Sequence, residues 1–155
     1  MNTGVRDARP PRAVLRLLNP IVKTLLRTRA SRAIPQIALL EFRGRRSGRR
    51  LSVVVGWYTV GDTRVVFTPA PWRSNFAGGA PATVRWRGLE EDQVGTLELD
   101  PATVARAIDL VIRAGTSPRT LGLRVPPGHI VTAGDVLRTR RAMVLFRPAS
   151  QDSRR

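Results

Sequence analysis

The sequence predicts a mainly β (α+β) domain, an antiparallel barrel of about six strands with helices at its N-terminus and in mid-chain. Three observations carry that expectation. From Pro35 onward the apolar pattern has a period of two, in six short runs rich in Val, Leu and aromatic residues. Glycine, proline and aspartate punctuate those runs, as turns between strands require. One stretch after Asp100 changes to helical spacing. Short, numerous strands with one apolar face must cover that face, and an antiparallel barrel with helices over its openings does so. A chain of 155 residues is the size of one domain and can bury a core without disulfides or metals.

Residues 12–29 place Val14, Leu15, Leu18, Ile21, Val22, Leu25 and Leu26 along one helical face, with Arg12, Arg16, Lys23 and Arg27 mainly elsewhere. Asn19-Pro20 divides the stretch, because Asn caps a helix and Pro suits its first position, so two short helices are expected. They are read either as helices laid over the core or as a basic amphipathic surface for peripheral contact with anionic membrane. The strand-like runs are 36–43, 51–58, 64–68, 83–87, 93–99 and 142–147. Gly61-Asp62 predicts a tight hairpin joining 51–58 to 64–68, and Gly78-Gly79 with Pro81 marks a loop before the fourth strand. Asp100 and Pro101 cap and open a helix whose apolar face holds Val104, Ile108, Val111 and Ile112 and which ends before Gly115. A short turn at 118–121 and a helix over 132–141, capped by Thr132 with Asp135 in its first turn, complete the elements. The resulting organisation is a basic helical segment over 1–34, a barrel over 35–148 and a flexible tail over 149–155.

The formal net charge is +16, and residues 1–50 carry +11 of it. Such a field attracts anions, whether nucleic acid, acidic lipid or a phosphorylated small molecule. Lys23 is the sole lysine, so part of this charge reflects a general preference for arginine. With no cysteine and a single histidine, His129, thiol catalysis and ordinary zinc sites are excluded, no metal is expected, and redox chemistry would need a borrowed cofactor. Residues 1–11 lack the apolar core of a secretory signal, and no apolar run is long enough to span a bilayer, so the chain is expected in the cytoplasm.

Residues 43–50 read Arg-Gly-Arg-Arg-Ser-Gly-Arg-Arg, five arginines in eight residues between two strands. Crowded like charges are a poor choice for a plain turn, whereas guanidinium forks, a hydroxyl and permissive glycines suit an anion. A second segment, Thr68-Pro69-Ala70-Pro71-Trp72-Arg73-Ser74-Asn75, joins an aromatic ring, an arginine and hydrogen-bonding groups on a proline-stiffened backbone. It is read either as a wall for a planar ring or as core packing by Trp72.

Gly44-Arg45-Arg46-Ser47-Gly48 leading into a strand, the hairpin at Gly61-Asp62, the strand ending at Thr68 and the Trp72-Arg73-Ser74-Asn75 segment, in that order over residues 37–88, resemble the F420-dependent nitroreductase and quinone reductase family of split β-barrel proteins. The resemblance implies a split β-barrel and a deazaflavin cofactor, coenzyme F420, with FMN as the alternative and FAD or haem in related barrels. It implies that Arg45, Arg46, Ser47, Gly48 and Arg49 take the phosphate side. Leu51, Ser52, Val53, Val54, Val55 and Gly56 would line the ring, and Thr68, Pro69, Ala70, Trp72, Arg73, Ser74 and Asn75 would close the site. Arg50-Leu51 stands where the family often has Pro-Arg, Val54 where a strand proline is common, and the loop before Trp72 is shorter than in many members.

The implied reaction is hydride transfer from reduced F420 to a small electron-poor acceptor such as a quinone or nitroaromatic, with the protein supplying orientation and charge. Tyr58, at the end of the ring-lining run, is the candidate proton donor, with a strand anchor as the competing role. A flat ligand would lie in an outer groove or at a subunit seam, and a seam would imply a homodimer. Two rivals remain: a cofactor carrier without turnover, and a nucleic-acid barrel stacking bases on Trp57, Trp72 and Trp86. Aromatic residues at 5% and basic residues gathered in one loop and one helix weigh against nucleic acid.

Overall fold

A computed structural model describes residues 4–7 and 36–150. The segment 12–29 expected to be helical, with its membrane contact, lies outside the described residues, as do residues 151–155.

The strands are β1 (Arg6–Asp7), β2 (Ile37–Arg43), β3 (Arg50–Gly56), β4 (Tyr58–Val60), β5 (Thr63–Thr68), β6 (Ala80–Trp86), β7 (Leu89–Glu98), β8 (Leu123–Arg124) and β9 (Ala142–Pro148). Helix α1 (Pro101–Arg113) lies between β7 and β8, and α2 (Ala133–Thr139) precedes β9. Short 3₁₀ segments occupy Pro71–Phe76 and Pro118–Leu121. Seven strands form one antiparallel sheet in the order β3-β2-β6-β7-β9-β5-β4, and β1 pairs with β8.

That order dictates the shape. The two edges of the sheet, β3 and β4, are consecutive in sequence with Trp57 alone between them. One residue spans less than about 4 Å, so the edges must meet at that point and the sheet must curl into a half-barrel. The expected strand 51–58 is therefore one run that changes partner. Its first part pairs with β2, from Arg50 opposite Arg43 to Gly56 opposite Ile37, and the Trp57 N–H still reaches the Gln36 carbonyl at 2.8 Å. Its last part, Tyr58 to Val60, pairs with β5. The expected Gly61-Asp62 turn is present, with Gly61 at φ 62° as such hairpins require, but it joins β5 to β4 and not to 51–56. Away from Trp57 the edges of β3 and β5 pack without pairing, which leaves the barrel split along one side.

The pleat assigns side chains to two packing groups on opposite faces of the sheet. Inside the curl lie Leu40, Phe42, Val55, Trp57, Val66, Phe76, Val84, Val144 and Phe146. Outside it, Val65, Phe67 and Tyr58 pack with Val104, Ile108 and Val111 of α1 and Val136 of α2. Gly95 marks how tightly the interior is filled: a Cβ there would lie 2.6 Å from Phe76 and 2.8 Å from Phe146. The Asp100 side chain accepts the Thr103 N–H at 2.9 Å, so α1 starts at the expected cap. Thr132 and Asp135 form a reciprocal capping box at the start of α2. Beyond β9 the Ala149 N–H still bonds the Asp92 carbonyl at 3.0 Å. Among the described residues no helix is long and apolar enough to cross a membrane.

Candidate functional site

The arginine-rich segment is the β2–β3 hairpin, at the open end of the split. Its backbone is closed by Gly44 N–H to the Arg49 carbonyl and Gly48 N–H to the Gly44 carbonyl, both at 2.8 Å, and by Arg49 N–H to Ser47 Oγ at 3.2 Å. Two glycines are required: Gly48 has φ 65°, and a Cβ on Gly44 would meet Ser47 Oγ at 2.7 Å. With those amides used internally, what the turn offers outward is side chains. Arg46, Arg49 and Arg50 are exposed and have no carboxylate partner among the described residues. Arg50 also sits directly opposite Arg43 in register, a like-charge pairing that costs a few tenths of a kcal/mol or more until something neutralises it. Arg43 reaches back to the Gly48 carbonyl at 3.3 Å.

Arg45 behaves differently from its neighbours. Its N–H donates to Asn75 Oδ1 at 2.7 Å and its Nη2 to the Ala77 carbonyl at 2.6 Å, so it ties the turn to the segment after β5. Asn75 Nδ2 in turn donates to the Trp72 carbonyl at 2.7 Å. The two candidate segments do come together, though not through a 51–58 hairpin: the Arg45–Asn75 tie bridges the mouth of the split. Trp72 packs against Phe42 and Phe76, with ring centroids at 5.7 and 6.0 Å, while remaining half-buried. Thr68 Oγ1 accepts the Ala70 N–H, Ser74 Oγ donates to the Pro71 carbonyl, and Arg73 Nη1 donates to the carbonyls of Thr68 at 3.1 Å and Arg140 at 2.6 Å. These groups build the wall's shape and leave few free donors on it.

Along β3, alternation divides the expected ring-lining run. Leu51, Val53 and Val55 face the interior with Phe42 and Trp57, while Ser52, Val54 and Gly56 face the opposite side. Only the first set shares a face with the aromatic wall. Five of the seven β3 residues, Leu51 to Val54 and Gly56, are half-buried, as befits an edge strand bordering the opening.

Tyr58 lies in the other packing group. Its ring packs over Gly56, where a Cβ would fall 2.5 Å from the phenol oxygen, and its hydroxyl donates to the Thr120 carbonyl at 3.2 Å. Burial pushes the phenol up to about 12, with the positive charge of Arg141 pulling weakly the other way. That is the environment of a strand anchor. His129, the sole histidine, bonds through Nε2 to Asp135 Oδ2 at 2.8 Å. Of the three tryptophans, Trp57 is buried against Phe146 and Trp86 is flanked by Arg64 and Arg87 guanidiniums at 4.3 and 4.7 Å, so a row of open stacking platforms is not present. Among the described residues no three His, Asp or Glu side chains gather as a metal site would need.

Two groups escaped the sequence reading. Arg50 belongs with Arg46 and Arg49, and the count of five arginines was its signal. Asp135 is a buried hub, not merely a first-turn acid: it accepts from Val5 N–H, Thr132 N–H, the Thr132 hydroxyl, His129 and Arg138. Burial alone would raise its carboxyl; the bonds from His129, Thr132 and Val5 outweigh that and hold it well below the carboxylate range.

No family model matches the chain, and no curated protein does. Solved structures similar to it include an FAD and heme binding protein from Mycobacterium smegmatis, at 19% identity and TM-score 0.43 over 86% of this chain and 67% of that one. A pyridoxamine 5′-phosphate oxidase-related, FMN binding protein from Nostoc punctiforme PCC 73102 aligns at 12% identity and TM-score 0.47, over 92% and 83% of the two chains. A protein described as an F420 reductase aligns at 14% and TM-score 0.42, over 83% and 93%.

Proposed function

We propose that the chain binds a flavin-like anionic cofactor, coenzyme F420 by the motif resemblance, along the split, and works as a reductase on it. The observation that carries this reading is the set of three guanidiniums, Arg46, Arg49 and Arg50, without described carboxylate partners at the mouth of an opening whose two lips are apolar or aromatic. The residues fit such a group: a phosphate would relieve the Arg43–Arg50 repulsion, and a planar ring would cover the half-exposed edge formed by Leu51 and Val53 against Trp72. Arg45 and Asn75 act as positioning residues, holding turn and wall at a fixed separation.

Reduced F420, when bound, supplies a hydride to an electron-poor acceptor such as a quinone or nitroaromatic. The protein's own part is binding and orientation. The arginines neutralise the anionic end, the interior-facing side chains of β3 and Trp72 exclude water from the ring, and the hydrogen bonds that shape segment 68–75 keep that wall stiff. Tyr58 keeps its proton in the Thr120 bond and takes no part.

The test is a titration of the full chain with oxidised F420, FMN, FAD and haem, read by tryptophan fluorescence, on wild type and on Arg46→Ala/Arg49→Ala. Micromolar binding of F420 in preference to the others, weakened at least ten-fold in the double variant, supports the site, and oxidation of reduced F420 on adding a quinone supports the activity. Preference for FMN, FAD or haem overturns the F420 assignment. Tight F420 binding with no oxidation by any acceptor leaves a carrier.

A further inference from the structure

The wall at 68–75 has a second side. Behind it a cavity of about 420 Å³ opens between Pro69, β1 and the end of α2, lined by Arg6, Asp7, Arg138, Thr139 and Arg140 among others. That volume is within the range of small-molecule sites, roughly 300 to 1,000 Å³. We infer that this cavity is a second anion site, taking a compact ligand with two or more negatively charged oxygens, separate from whatever binds the β2–β3 turn.

Charge and backbone geometry together support it. The lining includes Arg6, Arg138 and Arg140, of which Arg138 is ion-paired with Asp135 and Arg6 has a partner of its own, together with one acidic residue, Asp7, which bonds Arg141 at 3.3 Å. Arg138 is anchored on Asp135 and so is fixed in place. Arg140 is the telling residue. It ends α2 in the left-handed conformation, φ 51°, where glycine or asparagine is the usual occupant because a bulky L-residue there costs about 1 kcal/mol or more. It is exposed, is among the residues that line the cavity, and its side chain meets no carboxylate among the described residues.

The C-terminal end of α2 brings an opposing field, equivalent to about half a negative charge. The Arg140 carbonyl at that end is already engaged by Arg73 Nη1 at 2.6 Å, which offsets part of that field. The Arg73 bond also joins the cavity to the Thr68 carbonyl at the foot of the wall, so an occupant would press on the back of the segment that carries Trp72.

The experiment uses calorimetry on the full chain at low ionic strength, with inorganic pyrophosphate and, separately, citrate as probes. Arg46→Ala/Arg49→Ala silences the turn, and Arg140→Gly is then added. Glycine suits the left-handed cap, so that variant is expected to melt no lower than its parent. The double variant should keep one pyrophosphate or citrate site, weakened at least ten-fold by Arg140→Gly; a preference for pyrophosphate would point to a phosphoryl ligand and for citrate to a carboxylate one. The inference is overturned if the double variant binds neither probe, if Arg140→Gly binds as its parent does, or if loss of binding comes with a lower melting temperature. Because the turn is disabled throughout, failure of the cofactor reading would leave this result unaffected.

Discussion

Two clusters of charge in this molecule are built on opposite plans. At Asp135 a single carboxylate, 1% exposed, receives donors from Val5 just before β1, the 126–132 loop and α2, and its charge is used up within the fold. In the β2–β3 turn five arginines crowd eight residues; none meets a carboxylate among the described residues, and Arg43 and Arg45 alone spend their side chains on backbone carbonyls. A saturated buried charge is a device for stability, whereas unsaturated exposed charges of one sign weaken the fold slightly and have meaning only toward a partner. The contrast lets the two clusters be separated by experiment.

The largest effect is expected at the hub. Asp135→Asn leaves Arg138 without its counter-charge and His129 without its carboxylate partner, weakens the bonds to Val5 and Thr132, and should cost about 3 kcal/mol or more. Thermal and urea unfolding would report it. The carboxyl is depressed below its ordinary 3.8, so its contribution is complete above that pH and is lost as pH falls toward the lower native value. Wild type should therefore lose stability on acidification below about pH 4, and the Asn variant should lose less over the same interval. An equal acid slope in both would assign acid sensitivity to other carboxylates.

At the turn the signs reverse. Arg46→Ala/Arg49→Ala should leave stability unchanged within about 0.5 kcal/mol, or raise it, because repulsion is removed. Cofactor affinity should fall ten-fold or more, about 1.4 kcal/mol, and the salt dependence of binding should flatten. A double variant that unfolds more easily than wild type would break the comparison outright.

Asn75 stands where the two plans meet, since its side chain joins the turn to the wall. Asn75→Ala removes two hydrogen bonds at a half-exposed position and is expected to cost about 1 kcal/mol in stability. Its effect on affinity should be of similar size, by letting the turn drift from the wall. Asn75→Asp retains the acceptor for Arg45 N–H and should rescue part of the binding loss. Equal losses in both variants would mean that the donor to the Trp72 carbonyl is the half that matters.

What the sequence made legible follows the same division. The period-two runs and the Asp100 and Thr132 caps are local, and they located the sheet strands and both described helices, although β6 begins at Ala80 and takes in Pro81, which reads as loop because it breaks the apolar pattern, β7 begins at Leu89, and the run 51–58 divides into two strands. The arginine turn was legible because a charge conflict in eight consecutive residues is itself local. The change of partner at Trp57 was not, since residues 51–58 read as one strand-like run and only the closing of the sheet decides which neighbour each part meets. The pairs β1 and β8 are two residues each and carry no periodicity. Asp135 was visible as a cap but not as a hub, because Val5 lies 130 positions away. The Arg140 cavity joins residues 5–7, 69 and 138–140, a combination that exists only in the folded chain.

Tyr58 gives the finest test of where the boundary runs. It directly follows the run that borders the split, so sequence proximity makes it a proton donor, whereas the pleat turns it toward α1 and the Thr120 carbonyl. Tyr58→Phe keeps the ring's packing on Phe67 and over Gly56 and deletes only the hydroxyl. The expected loss is about 0.5–1 kcal/mol, the net worth of one partly buried hydrogen bond. The rate of reduced-cofactor oxidation per folded molecule, and its dependence on pH, should match wild type, because a phenol raised to about 12 and engaged as a donor in the core holds its proton across the working range. A drop in rate of ten-fold or more with stability intact would return Tyr58 to the reaction, and would require the split to open further toward the Tyr58 end of the run than the Arg45–Asn75 tie implies.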